Sequence, residues 1–187
     1  MQRKLGFTLM SVTMMVFCAS AGAQMVVHAV SGMVKAVNAD SKTMDVTVYN
    51  GDTSQFKLPM KPKATLDKSL QSDAVIASNF QHIGNYVVVY YYGYGNDRTA
   101  VAVKDLGAGP LQSIEGTVVS FDKRDRTMTV KDDGGKSETI ALNDQMVVDV
   151  GTSVTSGKGY TPHAGYHVIT TYTKAEDKAT AVFVHSQ

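Results

Sequence analysis

The sequence predicts an all-β protein built from two small five-stranded barrels in tandem. The prediction rests on an internal repeat, on the order of the elements in each copy and on turn residues at matching positions. A hairpin-like stretch from His82 to Asp105 combines an aromatic run, a loop of Gly and Asn and an alternating run. The stretch recurs in outline from His163 to Ser186, which indicates a duplicated β domain.

The repeat extends over nearly the whole chain. At a constant separation of 84 residues the copies match without a gap at Gly32, Val34, Thr43, Met44, Val46, Gly51 and Leu58, which correspond to Gly116, Val118, Thr127, Met128, Val130, Gly135 and Leu142. From His82 onward the separation is 81 residues. We therefore predict a first barrel over residues 25–106 and a second over residues 111–187, joined by the short segment Leu106–Pro110.

Five strands are expected in each copy. In the first copy a long strand over 27–37 precedes a strand over 43–48, in which alternate residues from Met44 share one face. Asn50-Gly51 predicts a type I′ hairpin turn, which needs a positive φ at both central residues. A third strand then runs through Phe56.

The connector of the first copy, Gln71–Phe80, can include a short helical turn beginning at Ser72-Asp73. The hairpin that begins at Tyr86 supplies the last two strands. In the second copy the connector over 151–159 is too rich in Gly and Ser for a helix. Its first three strands are expected over 113–121, 127–131 and 138–142.

Three strands, a connector and two further strands is the order of an OB-like barrel, and closure removes the exposed edges of an open sheet. Gly32 and Gly116 fit the bend that a long first strand needs.

Five motifs carry a family resemblance: the Gly-x-Val opening, the Thr-Met-x-Val second strand, the turn Gly, the Gly-x-x-Val fourth strand and the Ala-Val-x-Val ending. Together they resemble exported bacterial β-barrel domains of unknown function, which are often described as OB-like. The resemblance covers both repeats and implies a fold and a location. Its motifs are structural, so no site residues carry over.

The N-terminus predicts a secretion signal over residues 1–23. Arg3 and Lys4 precede an apolar run, and Ala21-Gly22-Ala23 is a small-x-small cleavage site. Phe17 is too bulky for a lipoprotein site at Cys18, the only cysteine. The mature chain is therefore expected in the periplasm or outside the cell, without disulfides or membrane insertion.

Charge and motifs exclude several functions. Cleavage removes two of the 18 basic residues and none of the 17 acidic ones, so the formal net charge falls from +1 to −1. A near-neutral protein is poorly suited to binding nucleic acid, whose phosphates must be neutralised.

The chain has no nucleophile elbow, phosphate loop, His-Glu-x-x-His sequence or EF-hand loop, so we predict a non-enzymatic protein without a cofactor.

Acidic and amide residues cluster in the first turn of each copy, as Asn38 with Asp40 and Asp122 with Asp125. Side chains of this type bond their own backbone in turns. The alternative is a calcium site, which needs about six oxygen ligands or more.

Tyrosines are concentrated in the hairpin of the first copy. Alternation places Tyr86, Tyr90 and Tyr92 on one face and Tyr91 on the other. OB folds bind extended ligands near the loop between their last two strands, here Gly93–Asp97, so we predict a ligand site at Tyr90, Tyr92, Tyr94 and Asn96. The alternative is that these rings cover the surface between the barrels.

Histidines and methionines raise a second hypothesis, a periplasmic protein that handles copper or zinc. Met44 and Met128 lie at equivalent inward positions and are expected to fill the cores, whereas His82 and His163 are expected to bond within turns. Counting back from a five-residue loop over 174–178 places His167 opposite His185, where both rings could reach one ion. The equally simple interpretation is a cross-strand pair that titrates near neutrality. The favoured function remains a binding module for a protein, peptide or glycan.

Overall fold

The computed structural model describes residues 25–186, which form two β-sheets and almost no helix. The predicted secretion signal and Cys18 lie outside the described residues. Each sheet corresponds to one copy of the repeat, and the all-β tandem-barrel prediction is confirmed.

Six strands and two short helical turns make up the first barrel. They are β1 (His28–Asn38), β2 (Thr43–Val48), β3 (Thr53–Lys57), α1 (Lys68–Gln71), β4 (Ala74–Ile76), a 3₁₀ turn (Ala77–Asn79), β5 (Tyr86–Tyr92) and β6 (Thr99–Gly107). β1 pairs with both β2 and β5, and a parallel contact between Lys57 of β3 and Thr99 of β6 closes the barrel. This is the strand order of an OB barrel, with β4 added along β6.

Seven strands make up the second barrel. They are β7 (Gln112–Asp122), β8 (Thr127–Lys131), β9 (Ser137–Ala141), β10 (Val147–Asp149), β11 (Val154–Ser156), β12 (His167–Ala175) and β13 (Lys178–Ser186). A parallel contact between β13 and β9 closes it in the same way. The connector strands β10 and β11 are additional to the five predicted strands, and β10 runs parallel to β13.

Matched apolar residues fill the two cores. Met44 and Met128 are fully buried at equivalent positions, which confirms that they pack the barrels. The matched glycines of the long first strands are required by close packing. A Cβ on Gly32 would lie 2.4 Å from Thr47 O, and one on Gly116 would lie 2.2 Å from Lys131 O. In both strands the register shifts shortly after the glycine, where the strand bends.

The hairpin turn between β2 and β3 differs from the predicted type I′ turn. Only Gly51 has a positive φ, of 86°, and its N–H donates to Val48 O at 2.9 Å. Val48 N–H also donates to Asp52 O, so the turn carries a bulge at the glycine. Gly135 repeats this geometry in the second barrel. One positive-φ residue is enough here because the extra bulge residue restores the twist between the strands.

The short helix also lies earlier than predicted. α1 begins after Asp67, whose Oδ1 accepts the N–H of Ser69 at 2.8 Å, and not at Ser72-Asp73. Leu70 of this helix is buried between the barrels. Tertiary burial of that leucine places the helical turn, since so short a helix has little stability of its own.

The barrels pack directly against each other through a third apolar cluster that contains residues from both. Its buried members are Ala29, Ala64, Leu66, Leu70, Val88, Tyr90, Val101, Ala102, Val147 and Phe183. Polar contacts cross the same boundary. Ser31 Oγ lies 2.6 Å from Thr171 Oγ1, and Lys104 Nζ donates to Gln145 O at 2.8 Å.

Candidate functional site

The structure separates the predicted tyrosine site into buried and exposed parts. Tyr90 is 1% exposed and lies in the cluster between the barrels, and Tyr92 packs at the edge of that cluster. Tyr91 points into the core of the first barrel, on the opposite face as predicted. Only Tyr94 is freely exposed, at 77%. The predicted ligand surface is therefore reduced to the loop that carries Tyr94 and Asn96.

That loop, Gly93–Arg98, joins β5 to β6 and is narrow at its base. Gly93 has a φ of 92°, and a Cβ on it would lie 2.2 Å from Asp97 O. Asp97 N–H donates to Tyr94 O at 3.0 Å, which forms a tight turn. The chain therefore crosses from β5 to β6 with Tyr94, Gly95 and Asn96 at the tip.

Both sides of the loop are held in place. On the β6 side, Lys57 N–H donates to Arg98 O at 2.9 Å and Lys57 Nζ donates to Asp97 Oδ1 at 2.5 Å. The ion pair with Lys57 lowers the pKa of Asp97. On the β5 side, the Tyr94 ring makes an edge contact with His28 at 5.7 Å between centroids. An exposed tip on fixed sides is ordered before a ligand arrives, which lowers the entropic cost of binding.

A polar groove of about 400 Å³ opens between this loop and the start of β3. Its lining includes Asp52, Ser54, Gln55, Gly95, Asn96 and Arg98. Within the described part of the chain, the Asn96 side chain makes no hydrogen bond. Amide, hydroxyl and charged groups therefore face a ligand-sized space, and the loop that lines it also carries the exposed Tyr94 ring.

Arg98 is the cation of this groove, and sequence reasoning did not identify it. Its Nη1 donates to Ser54 Oγ at 2.8 Å, and its guanidinium lies 5.6 Å from the centre of the Tyr91 ring. Its Nε is buried without an acceptor, and no carboxylate of the described residues lies within 4.0 Å of its nitrogens. Burial raises the pKa of Tyr91, and the charge of Arg98 partly offsets that rise. The sequence did contain a hint, because the repeat has Ala179 at the matching position.

The histidine pair is not brought together, so the predicted register was wrong. His185 lies opposite Ile169, and His167 lies opposite Thr117 on β7. The loop between β12 and β13 has two residues instead of five, because Ala175 pairs with Lys178, and the register shifts once within the hairpin. Across residues 25–186 no group of three or more His, Cys, Asp or Glu side chains could hold a metal ion.

His167 instead joins a contact between the barrels. Its Nε2 lies 3.1 Å from Glu115 Oε1. Burial and, after it, the nearby Glu115 carboxylate raise the pKa of Tyr49, a residue of the first barrel. This imidazole is thus part of a polar link between the copies.

Asp149 is a second residue that the sequence did not single out. It is 1% exposed, and its carboxylate accepts the N–H groups of Ala29, from the other barrel, and Gly151, each at 2.7 Å. His28 and His185 flank it, with Nδ1 atoms 4.0 and 3.8 Å from Oδ2. Burial alone would raise the pKa of Asp149, but His185 and the two backbone donors hold it below its ordinary value. Asp149 is therefore an ionised link between the barrels.

Asn38 and Asp122 of the first turns bond their own backbone, as predicted. Asn38 Oδ1 accepts Ser41 N–H at 2.9 Å, and Asp122 Oδ1 accepts Arg124 N–H and Asp125 N–H at 2.8 and 3.0 Å. His82 does not bond within its turn as expected: its Nδ1 lies 2.8 Å from Oδ2 of Asp105, a residue of β6.

Comparison with models of known protein families and with curated proteins returned no match. Neither helical turn of the described residues is long and apolar enough to cross a membrane.

Proposed function

We propose that the protein is an exported, non-enzymatic binding module whose first barrel binds an oligosaccharide beside Tyr94. The observation that carries the proposal is the β5–β6 loop, which is held on both sides. Its tip displays the exposed Tyr94 ring, and its residues Gly95, Asn96 and Arg98 line a groove of polar side chains. Location in the periplasm or outside the cell follows from the predicted secretion signal.

The chemistry of the groove suits a sugar. An aromatic ring offers an apolar face on which a sugar ring can stack, and amide and hydroxyl side chains such as Gln55, Asn96 and Ser54 can bond its hydroxyls. OB barrels bind oligonucleotides and oligosaccharides near this loop. The near-neutral charge of the mature chain disfavours the first of these ligands.

The same groove supports binding without catalysis. Its ionisable side chains are Asp52 and Arg98. Asp52 Oδ2 accepts a hydrogen bond from Asn50 Nδ2 at 2.7 Å. The Ser54 hydroxyl accepts a hydrogen bond from Arg98, and a guanidinium cannot act as a general base, so this contact is not a nucleophile–base pair.

The test is a screen of the mature protein on immobilised oligosaccharides, followed by calorimetric titration of the best binder. Tyr94→Ala should weaken binding about tenfold, because loss of one stacking ring costs roughly 1 kcal/mol or somewhat more. Its matched control is Tyr166→Ala, which removes a 45%-exposed ring from the second barrel and should leave affinity unchanged.

Full affinity in Tyr94→Ala, or equal losses in both variants, would show that this loop is not the site. If the protein binds peptides but no saccharide, it is still a binding module, and the oligosaccharide assignment is wrong.

A further inference from the structure

We infer that the oligosaccharide bound in this groove carries a carboxylate, as a uronic acid does, and that Arg98 binds that carboxylate. The inference rests on the proposed function and narrows its ligand to one chemical class. It starts from the unbalanced charge of Arg98.

Two arginines of similar burial show the contrast. Arg126 in the second barrel forms an ion pair with Asp144 and also donates from Nη2 to Gly157 O at 2.8 Å. Arg98 has one neutral hydrogen-bond partner, Ser54, and an aromatic ring at 5.6 Å. Charged groups removed from water are normally paired. An acidic ligand would supply the carboxylate that Arg126 obtains from its own chain.

Arg98 is also held ready for such a ligand. The bond to Ser54 positions Nη1, the Tyr91 ring lies against the guanidinium, and the backbone carbonyl of Arg98 accepts Lys57 N–H. Because Nε is buried, the donors left for a ligand are the Nη hydrogens that Ser54 does not use. A guanidinium in this state can bond a planar carboxylate with little further ordering.

The charge balance of the groove favours a single negative charge over a phosphate or sulfate cluster. The nearby ammonium of Lys57 is already engaged by Asp97, which leaves Arg98 as the cation of the lining. Asp52 shares the lining and would repel a highly charged anion. One carboxylate satisfies Arg98, while Asp52 remains an acceptor for sugar hydroxyls.

The experiment compares a tetrasaccharide that carries a single uronic acid residue with its carboxyl-reduced neutral counterpart, using the mature protein in calorimetric titrations. The parent should bind the acidic tetramer at least tenfold more tightly, and added salt should reduce that preference. Arg98→Gln should abolish the preference, and Arg98→Lys, which keeps the charge but not the planar fork, should retain part of it. Arg124→Gln, which removes an exposed guanidinium from the second barrel, is the matched control and should change nothing. Circular dichroism checks that the variants are folded.

The outcomes separate this inference from the proposed function. If the neutral tetramer binds as tightly as the acidic one and Tyr94→Ala weakens both, the carboxylate assignment is wrong and the saccharide site stands. The assignment is also wrong if folded Arg98→Gln keeps the full preference for the acidic tetramer. If Arg98→Gln does not fold, the same conclusion follows from full preference in a folded Arg98→Lys. Tighter binding of a sulfated tetramer would likewise overturn it. If no saccharide binds, the oligosaccharide assignment and this inference both fail.

Discussion

Asp149→Ala tests whether one buried carboxylate holds the two barrels together. The substitution removes the acceptor of Ala29 N–H, which belongs to the first barrel, and of Gly151 N–H, both at 2.7 Å. Ala29 is only 4% exposed, so water cannot readily replace the lost acceptor.

The expected loss follows from those two donors. A buried N–H left without an acceptor costs about 1–3 kcal/mol. Gly151 is exposed, so water can satisfy its N–H and its share falls to the low end of that range. We therefore expect Asp149→Ala to lower the free energy of unfolding by about 2–4 kcal/mol.

The assay is urea denaturation at pH 7, followed by far-ultraviolet circular dichroism. Asp97→Ala is the matched control, because its carboxylate is 82% exposed and has one ion-pair partner, Lys57. Solvent screens an exposed pair of this kind, so this variant should remain close to the parent. If Asp149→Ala loses no more stability than Asp97→Ala, the buried carboxylate does not stabilise the contact between the barrels.

Three further outcomes are expected. The pKa of Asp149 is lowered in the folded protein, so the stability that this carboxylate adds is complete above its unfolded pKa of about 3.9. That stability is lost as the pH falls through the lower folded pKa. The difference in unfolding free energy between the parent and Asp149→Ala, measured by urea titration, should therefore shrink below about pH 4. Tyr90→Ser should destabilise the protein by about 3–5 kcal/mol and Tyr94→Ser by less than about 0.5 kcal/mol, and similar losses in thermal unfolding would contradict the division into buried and exposed rings. Gly116→Ala should lower the free energy of unfolding by about 2–3 kcal/mol because its Cβ meets backbone atoms, whereas Gly135→Ala should lower it by about 1 kcal/mol because only the positive φ is strained. Equal urea midpoints for the two variants would refute the close-packing argument.

Much of the fold could be predicted because its determinants are local. Alternating apolar residues and turn glycines recur at one constant separation, and the structure places Met44 and Met128 in equivalent cores. The strand bounds of β2 and β8 agree with those expected from the pattern. Period-two alternation needs only that one face be buried, whatever the partner strand.

The candidate site could be predicted only in part. Tyr94 and Asn96 were found because aromatic density and an OB-like order point to the β5–β6 loop. Tyr90 has the same residue type but lies between the barrels, and the sequence cannot show which face of β5 meets the other copy. Arg98 was missed because its importance comes from the lack of an acidic partner among residues 25–186, which is a property of the folded surroundings.

By itself, the sequence determined the duplication, the all-β class, the order of the strands and the loop that displays Tyr94. Only the tertiary structure decided the register of β12 against β13, the link at Asp149 and the burial of Tyr90. The register depends on one turn length and one irregular pair, and a small error in either moves His167 away from His185. The contacts of Asp149 and Tyr90 depend on how the two barrels are oriented, and orientation is set by the joint packing of residues far apart in the chain.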